Sequence, residues 1–108
     1  MSTDLHTDVD GGVIALSGDL TASSEASLGA AFEAAQSHGT VVLDFSNLGY
    51  MNSTGIGLLV TTLVRAQRGG VRLVACGLDD HYREIFSLTR LDEAIPVYRD
   101  ATEALASA

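Results

Sequence analysis

The segment LDFSNLGYMNSTGIGLLVTTLVRAQ, residues 43–67, joins two different hydrophobic patterns through a polar turn. Its first residues end a nearly continuous apolar run, TVVLDF at 40–45, which suits a strand buried on both faces of a sheet. The following SNLGYMNST is typical of a loop that leads into a helix. Such a unit presents the helix's free N–H groups at the carboxyl ends of the strands, where open α/β sheets tend to place their sites. The segment therefore predicts a strand, a loop and a helix, with a candidate site at their join.

Apolar residues after the join recur at helical spacing as far as RGG, residues 68–70. They are Ile56, Leu59, Val60, Leu63 and Val64. This spacing predicts an amphipathic helix that turns these side chains toward the core.

The residues before the join predict a hairpin and a first helix. Apolar and polar residues alternate over 5–9, and DGG at 10–12 supplies a tight turn into VIALSG at 13–18. From Thr21 the apolar period becomes helical and runs to about SHG at 37–39. We expect Thr21 or Ser23 to cap this helix and Gly39 to end it.

The residues after the join predict two more strands and two more helices. VRLVAC at 71–76 and AIPVY at 94–98 are the strands, the second a short edge strand because of its proline. Asp79 or Asp80 can cap the helix between them, and Asp100 can cap a closing helix at 100–108. The whole pattern predicts an α/β fold in a single domain, residues 1–108. We expect a four- to five-stranded mixed sheet with an N-terminal hairpin and about four helices packed on it.

The charge distribution excludes several classes of partner. The chain has 14 acidic and 6 basic residues, a net charge of −8, and every basic residue is an arginine at position 65 or later. Such a surface repels phosphate backbones and anionic lipid, so we expect no direct nucleic-acid partner. A protein partner with a basic face is favoured. The absence of lysine also excludes P-loop and Schiff-base chemistry.

Cysteine content and hydropathy indicate a cytoplasmic protein. No apolar run approaches the ~20 residues that cross a bilayer, and the acidic N-terminal residues are unlike a signal peptide. The one cysteine, Cys76, ends an apolar strand and is interpreted as a small buried hydrophobe. We therefore expect no membrane span and a reducing compartment.

The join itself allows two interpretations. Asn52, Ser53 and Thr54 can each cap a helix, so the simpler one is a polar N-cap with a tight first turn. However, Gly55 and Gly57 each lower the stability of the helix by about 1 kcal/mol relative to alanine, and capping does not require glycine at either position. The second interpretation is that the glycines lack side chains that would shield the Ser53 and Thr54 hydroxyls, so that a partner can reach them. A helix N-terminus would also tolerate a phosphate on either hydroxyl.

The sequence gives little support for an enzyme active site or a metal site. A serine hydrolase elbow needs glycine two residues before Ser53, where this chain has Met51. His6, His38 and His81 are scattered without metal-ligand spacing. We expect no catalytic residue, no metal and no cofactor.

VVLDFSNLGYMNSTGIGLLV at 41–60 closely resembles the signature of the STAS domain family, named after sulphate transporters and anti-sigma factor antagonists. In that signature a strand ending LDLS leads through an aromatic-containing loop to DSSG or DSTG. VIALSGDLT at 13–21 resembles the second strand of the family and its G-x-L-D corner, and the C-terminal residues 85–105 resemble its closing pattern. The resemblance covers essentially the whole chain.

As a short, single-domain chain, it resembles the anti-sigma factor antagonists of that family. This implies a protein that binds an anti-sigma factor with serine-kinase activity and so frees a sigma factor. Phosphorylation of the antagonist by the kinase dissociates the complex, and a metal-dependent phosphatase removes the phosphate. Carried over by position, the resemblance implies phosphorylation of Ser53 and a partner-binding surface made by Asp19, Thr21, Asn52, Ser53, Thr54 and Gly55.

Two positions depart from the family pattern. Asn52 replaces the acid that commonly precedes the serine, and Thr21 replaces the aspartate that commonly ends the corner. Both can still cap a helix, but both remove a negative charge near Ser53. Two alternatives therefore stay open: a structural STAS subunit of a signalling or lipid-transport complex in which Ser53 is never phosphorylated, and a small-ligand sensor that holds an anion on the loop amides.

Overall fold

The computed structural model describes residues 4–107 and contains a five-stranded sheet in the order β1-β2-β3-β4-β5. The strands are β1 (His6–Asp10), β2 (Val13–Leu20), β3 (Thr40–Met51), β4 (Arg72–Cys76) and β5 (Val97–Tyr98). β1 is antiparallel to β2, and the other neighbouring pairs are parallel. The predicted α/β fold with a mixed sheet is confirmed. Residues 1–3 and 108 of the predicted domain lie outside the described residues.

The N-terminal hairpin follows the sequence pattern. Asp10 pairs with Val13 at its closed end, and the turn between them contains Gly11 at φ +59°. That left-handed conformation is the one for which a two-residue turn selects glycine. The predicted hairpin is therefore confirmed. The predicted short edge strand is present as β5, but it begins at Val97 and not at Ala94, because Leu91–Ala94 form a helical turn.

β3 is longer than the sequence indicated. The expected loop at 46–51 is part of the strand, which runs without interruption from Thr40 to Met51. The extension pairs with the last residues of β2, and two register shifts in this pairing accommodate its irregular apolar pattern. The Tyr82 hydroxyl also donates a 3.1 Å hydrogen bond to the carbonyl of Leu48. Pairing with β2 and anchoring by a distant tyrosine thus make a strand from residues that lack strand periodicity.

Residues 4–107 contain five α-helices, against about four expected. They are α1 (Glu25–Ala35), α2 (Ser53–Arg68), α3 (Asp80–Leu88), α4 (Leu91–Ala94) and α5 (Ala101–Ala106). The unexpected one is α4, a single turn that follows Arg90 in the left-handed conformation, φ +59°. Short 3₁₀ turns at Ala22–Ser24 and Gln36–His38 flank α1.

The helix boundaries are set largely by the predicted residues. The Asp79 carboxylate accepts from the Tyr82 N–H at 2.9 Å, and the Asp100 carboxylate accepts from the Glu103 N–H at 2.8 Å. Gly39, at φ +78°, ends the segment that contains α1. These caps satisfy N–H and C=O groups that a helix end otherwise leaves unpaired.

The sheet is covered on both faces, but unequally. The main apolar cluster contains alternate β3 residues, Val41, Leu43 and Phe45, together with residues of α1, α2 and α3. A smaller cluster on the opposite face contains Val42 of β3 and Ala104 of α5. β3 is thus buried on both faces at its start, as its continuous apolar run predicted.

The buried face of α2 differs from the prediction. Val60 and Val64 are 43% and 39% exposed, whereas Thr62 and Ala66 are buried beside Leu59. Ile56 and Leu63 pack against the main cluster, as predicted. Gly55, which lies directly against the end of β2, is on the same helix face as Leu59, Thr62 and Ala66. No helix in the described chain is long and apolar enough to cross a membrane.

Candidate functional site

The candidate site lies where the parallel strands β2 and β3 end together. Leu20, the last residue of β2, is in register with Met51, the last residue of β3. The next backbone N–H, that of Asn52, donates to the Leu20 carbonyl at 3.3 Å. The chain then enters α2 at Ser53, so the carboxyl end of the sheet and the N-terminus of α2 form one continuous edge.

Asn52 is the N-cap of α2. Its backbone is extended, with φ −103° and ψ −178°, and its side-chain oxygen accepts from the Gly55 N–H at 2.9 Å. This hydrogen bond satisfies one of the N–H groups that the first turn leaves unpaired. Asn52 therefore caps α2 with a neutral side chain.

Ser53 and Thr54 are exposed in the first turn of α2. Within residues 4–107, the Ser53 hydroxyl has no hydrogen-bond partner. The free N–H groups of the first turn give this end of the helix a partial positive charge that stabilises anions. An added phosphate on Ser53 would therefore face solvent at an electrostatically favourable place.

The corner between β2 and α1 lies beside this turn. Asp19, in register with Tyr50 of β3, accepts through its backbone carbonyl from the Ser24 hydroxyl at 3.0 Å. The Thr21 N–H donates to the same Ser24 oxygen at 2.9 Å. Thr21 is the N-cap of the 3₁₀ turn that leads into α1, as the sequence suggested, but its hydroxyl makes no capping hydrogen bond. Ser24 holds the corner in place through these two hydrogen bonds. The Thr21 hydroxyl instead contacts the Ser23 hydroxyl at 3.0 Å.

Gly55 has a different role from the one expected. It is buried, and a Cβ at this position would overlap the Leu20 carbonyl oxygen and lie 2.9 Å from its carbonyl carbon. Its glycine therefore permits the close approach of α2 to β2 and does not bare the surface. Gly57 is exposed, and a Cβ there would meet nothing within 4 Å. Only the second glycine leaves the helix surface open.

The electrostatic surroundings of the site are simple. Residues 45–64 contain no charged side chain. Burial, followed by the nearby carboxylates of Asp79 and Asp19, raises the pKa of Tyr82. Across the described residues, no three His, Cys, Asp or Glu side chains converge as metal ligands.

The structure brings the predicted site residues to one edge. Asp19 and Thr21 lie on the β2 corner, and Asn52, Ser53 and Thr54 lie on the adjoining turn, with Gly55 beneath them. Sequence reasoning missed Ser24 and Leu20, which hold these two segments in place. Leu20 acts through its backbone carbonyl, for which no side-chain signal exists. For Ser24 the signal is its position three residues after Thr21, the spacing of a capping box.

Comparisons with known proteins agree with this architecture. A family model described as "Mlab, STAS domain" matches residues 4–98. An anti-sigma factor antagonist from Mycobacterium paratuberculosis has a similar structure, with a TM-score of 0.77 and 21% identity over 99% of this chain and 97% of that chain. A sulfate transporter family protein from Wolinella succinogenes gives a TM-score of 0.75 at 18% identity, over 93% of this chain and 87% of that chain.

A third similar structure is the anti-sigma factor antagonist SpoIIAA of Bacillus in its unphosphorylated form, and SpoIIAA is also known in a phosphorylated form. The unphosphorylated form gives a TM-score of 0.71 at 20% identity, over 94% of this chain and 92% of that chain. At these identities the three likenesses show the fold. The family model covers most of the chain, including both segments of the candidate site. The chain therefore belongs to the STAS domain family.

Proposed function

We propose that this STAS domain is an anti-sigma factor antagonist, a non-enzymatic binding module of a bacterial-type cytoplasm. With Ser53 unphosphorylated, it binds an anti-sigma factor that has serine-kinase activity and so frees a sigma factor. The kinase phosphorylates Ser53 and the complex dissociates. A metal-dependent phosphatase then restores the binding form.

The exposed Ser53 hydroxyl in the first turn of α2 is the observation that carries this proposal. A kinase needs a hydroxyl that can enter its own active site, and this hydroxyl is exposed without a partner in the described chain. The helix N-terminus stabilises the product phosphate, so modification leaves the fold intact.

The switch follows from charge at a contact surface. Asp19, Thr21, Asn52 and Thr54 are the proposed partner contacts along the same edge as Ser53, and Gly55 is the buried contact of this turn with β2. Phosphorylation adds about −1.5 to −2 charges and three acceptor oxygens at the centre of this surface. A 100-fold loss of affinity requires only ~2.7 kcal/mol. Desolvating a dianion at a packed interface can exceed that cost, so the protein needs no refolding to release its partner.

Phosphorylation by purified anti-sigma factor kinases encoded in the same genome tests the proposal directly. After incubation with ATP, intact mass spectrometry is expected to show one added phosphate, and peptide mapping is expected to assign it to Ser53. Ser53→Ala should abolish the addition, and Thr54→Ala should keep it. Ser53→Asp should weaken kinase binding about 100-fold in calorimetry. Unchanged affinity of Ser53→Asp, together with no phosphate on Ser53, would contradict the proposal.

A structural STAS subunit of a signalling or lipid-transport complex is the second candidate. Asn52 and Thr21 favour it, because both replace acids common in the family pattern and leave the neighbourhood of Ser53 without their charge. In this case the protein isolated from growing cells carries no phosphate and co-purifies with a larger assembly whether residue 53 is Ser or Ala.

The structure gives less support to a small-anion sensor. The Asn52 side chain already occupies the Gly55 N–H that such an anion would use. A cavity of about 170 Å³ lies instead between α1 and α2, where Leu28, Leu58 and Arg65 are among its lining residues. A rise in melting temperature of the free protein with inorganic phosphate would favour the sensor.

A further inference from the structure

The outer surface of α2 continues directly from Ser53. Ser53, Gly57, Val60 and Val64 follow one another at i, i+4, i+7 and i+11, so they share one face of the helix. All are exposed, and this face lies opposite the buried residues Leu59 and Thr62. We call these four residues the α2 outer stripe.

The α2 outer stripe differs from the other exposed helix faces in charge. α1 exposes Glu25 and Glu33, α3 exposes Arg83 and Glu84, and α5 exposes Glu103. α2 has no charged residue before Arg65, although it is the longest helix of the fold. Instead it leaves Val60 43% exposed and Val64 39% exposed. An exposed face that combines valines with no charge is typical of the centre of an interface.

We propose that the α2 outer stripe is part of the surface on which the anti-sigma factor docks, with Val60 and Val64 as apolar anchors beside the Ser53 switch. This inference rests on the proposed function and adds to it two residues that contribute to the affinity for the anti-sigma factor. Along the helix axis, Val60 and Val64 lie about 10.5 Å and 16.5 Å from Ser53, at 1.5 Å per residue. A standard interface covers about 800 Å² of each partner, a patch of roughly 16 Å radius. A partner centred on Ser53 therefore covers Val60 and extends to about the position of Val64.

Charge identifies the chemistry of the occupant. The chain carries a net charge of −8, so a second copy would bring two strongly acidic proteins together. A partner with an apolar patch surrounded by basic groups instead complements an uncharged stripe on an acidic protein. The net charge and the uncharged stripe therefore favour a basic protein partner with an apolar contact patch over self-association.

Calorimetric titration of the unphosphorylated chain with the purified anti-sigma factor kinases of the same genome tests the inference. Val60→Asp and Val64→Asp are each expected to weaken binding at least tenfold. Leu105→Asp is the matched control, because Leu105 is 47% exposed on α5, which covers the opposite face of the sheet. It should bind within twofold of the wild type. Thermal melts followed by circular dichroism verify that each variant is folded, and Val60→Ala provides a milder change, with a loss of a few-fold.

The outcomes separate the inference from the proposed function. If Ser53→Asp loses binding while both valine variants bind like the wild type, the function stands and the inference is wrong. Equal losses in Val60→Asp and Leu105→Asp would also overturn it, since added charge alone would then explain them. If the unmodified chain binds none of the kinases, the function and the inference both fail. A wild-type dimer that Val60→Asp dissociates in sedimentation would assign the stripe to a second copy and refute the proposed partner.

Discussion

Replacing Gly55 by alanine is expected to destabilise the protein, although alanine is the better helix former. Gly55 lies in the first turn of α2 with the end of β2 directly against it. An added Cβ would overlap the Leu20 carbonyl oxygen and lie 3.1 Å from Cγ of Met51. The carbonyl cannot rotate away, because it belongs to the backbone at the end of a paired strand and accepts the Asn52 N–H. The start of α2 must therefore shift outward.

The expected magnitude combines two opposing effects. Overpacking a tight contact typically costs about 1–3 kcal/mol, and contact with a fixed backbone group places this site at the upper end. Alanine recovers about 1 kcal/mol of helix propensity relative to glycine. The net loss in the free energy of unfolding is therefore about 2 kcal/mol. At a urea m-value of about 1–3 kcal/mol/M, the midpoint falls by roughly 1 M.

Gly57→Ala is the matched control, two residues along the same helix. A Cβ there would meet nothing within 4 Å, so alanine adds its helix propensity without a clash. This variant should gain up to about 1 kcal/mol. Urea unfolding of both variants, followed by circular dichroism, measures the difference. Shifts of the same sign and size would refute the argument that the Leu20 carbonyl requires glycine at position 55.

Two further predictions concern other residues of the fold. Asn52→Ala removes the acceptor of the Gly55 N–H and should cost about 1 kcal/mol in urea unfolding, whereas Asn52→Asp keeps the cap and should be at least as stable as the wild type. Equal losses in both would contradict a capping role. Burial, followed by the carboxylates of Asp44 and Asp100, raises the pKa of the Cys76 thiol to about 12, against about 8.5 in unfolded chains. Between these values the unfolded state binds fewer protons, so the stabilisation by the neutral thiol is complete below about pH 8.5 and decreases as pH rises toward 12. Iodoacetamide at pH 8.5 should therefore label the protein in urea and leave the native protein unlabelled, while rapid native labelling would oppose this assignment.

The elements predicted best from the sequence are those that short-range physics determines. The hairpin turn at Gly11 needs a left-handed residue, and the caps Asp79 and Asp100 bond to N–H groups three residues away. β4 and the start of β3 are short apolar runs of a length that suits buried strands. None of these features requires knowledge of distant residues.

The extension of β3 could not be predicted, because its cause is distant in sequence. Residues 46–51 contain asparagine, glycine and serine, which favour turns when taken alone. They form a strand because the end of β2 pairs with them and because Tyr82 donates to the Leu48 carbonyl. Tertiary pairing thus overrides a local preference.

The rotation of α2 was also beyond the sequence pattern. The spacing of Val60 and Val64 fits a buried face as well as that of Thr62 and Ala66 does, and hydrophobicity alone favours the valines. In the structure, Gly55 touches β2 on the same face as Thr62 and Ala66, so this close contact accompanies the burial of that face. The sequence analysis thus singled out Gly55 correctly, but close packing explains the glycine there and access to the hydroxyls does not.

The candidate site was predicted through the family resemblance more than through the chemistry of single residues. Asn52, Ser53 and Thr54 lie in the turn that the pattern indicated, and Asp19 and Thr21 lie on the adjoining corner. Their roles in phosphorylation and partner binding remain predictions for the experiments above.

The contact of the Leu20 carbonyl with the first turn of α2 also affects what binding there would cost. Since this carbonyl accepts the Asn52 N–H and lies against Gly55, the corner and the Ser53 turn form one preorganised template. A partner that docks on both segments has little loop entropy to remove, so most of its contact free energy can appear as affinity. Slow dissociation of such a partner is then compatible with a small contact area.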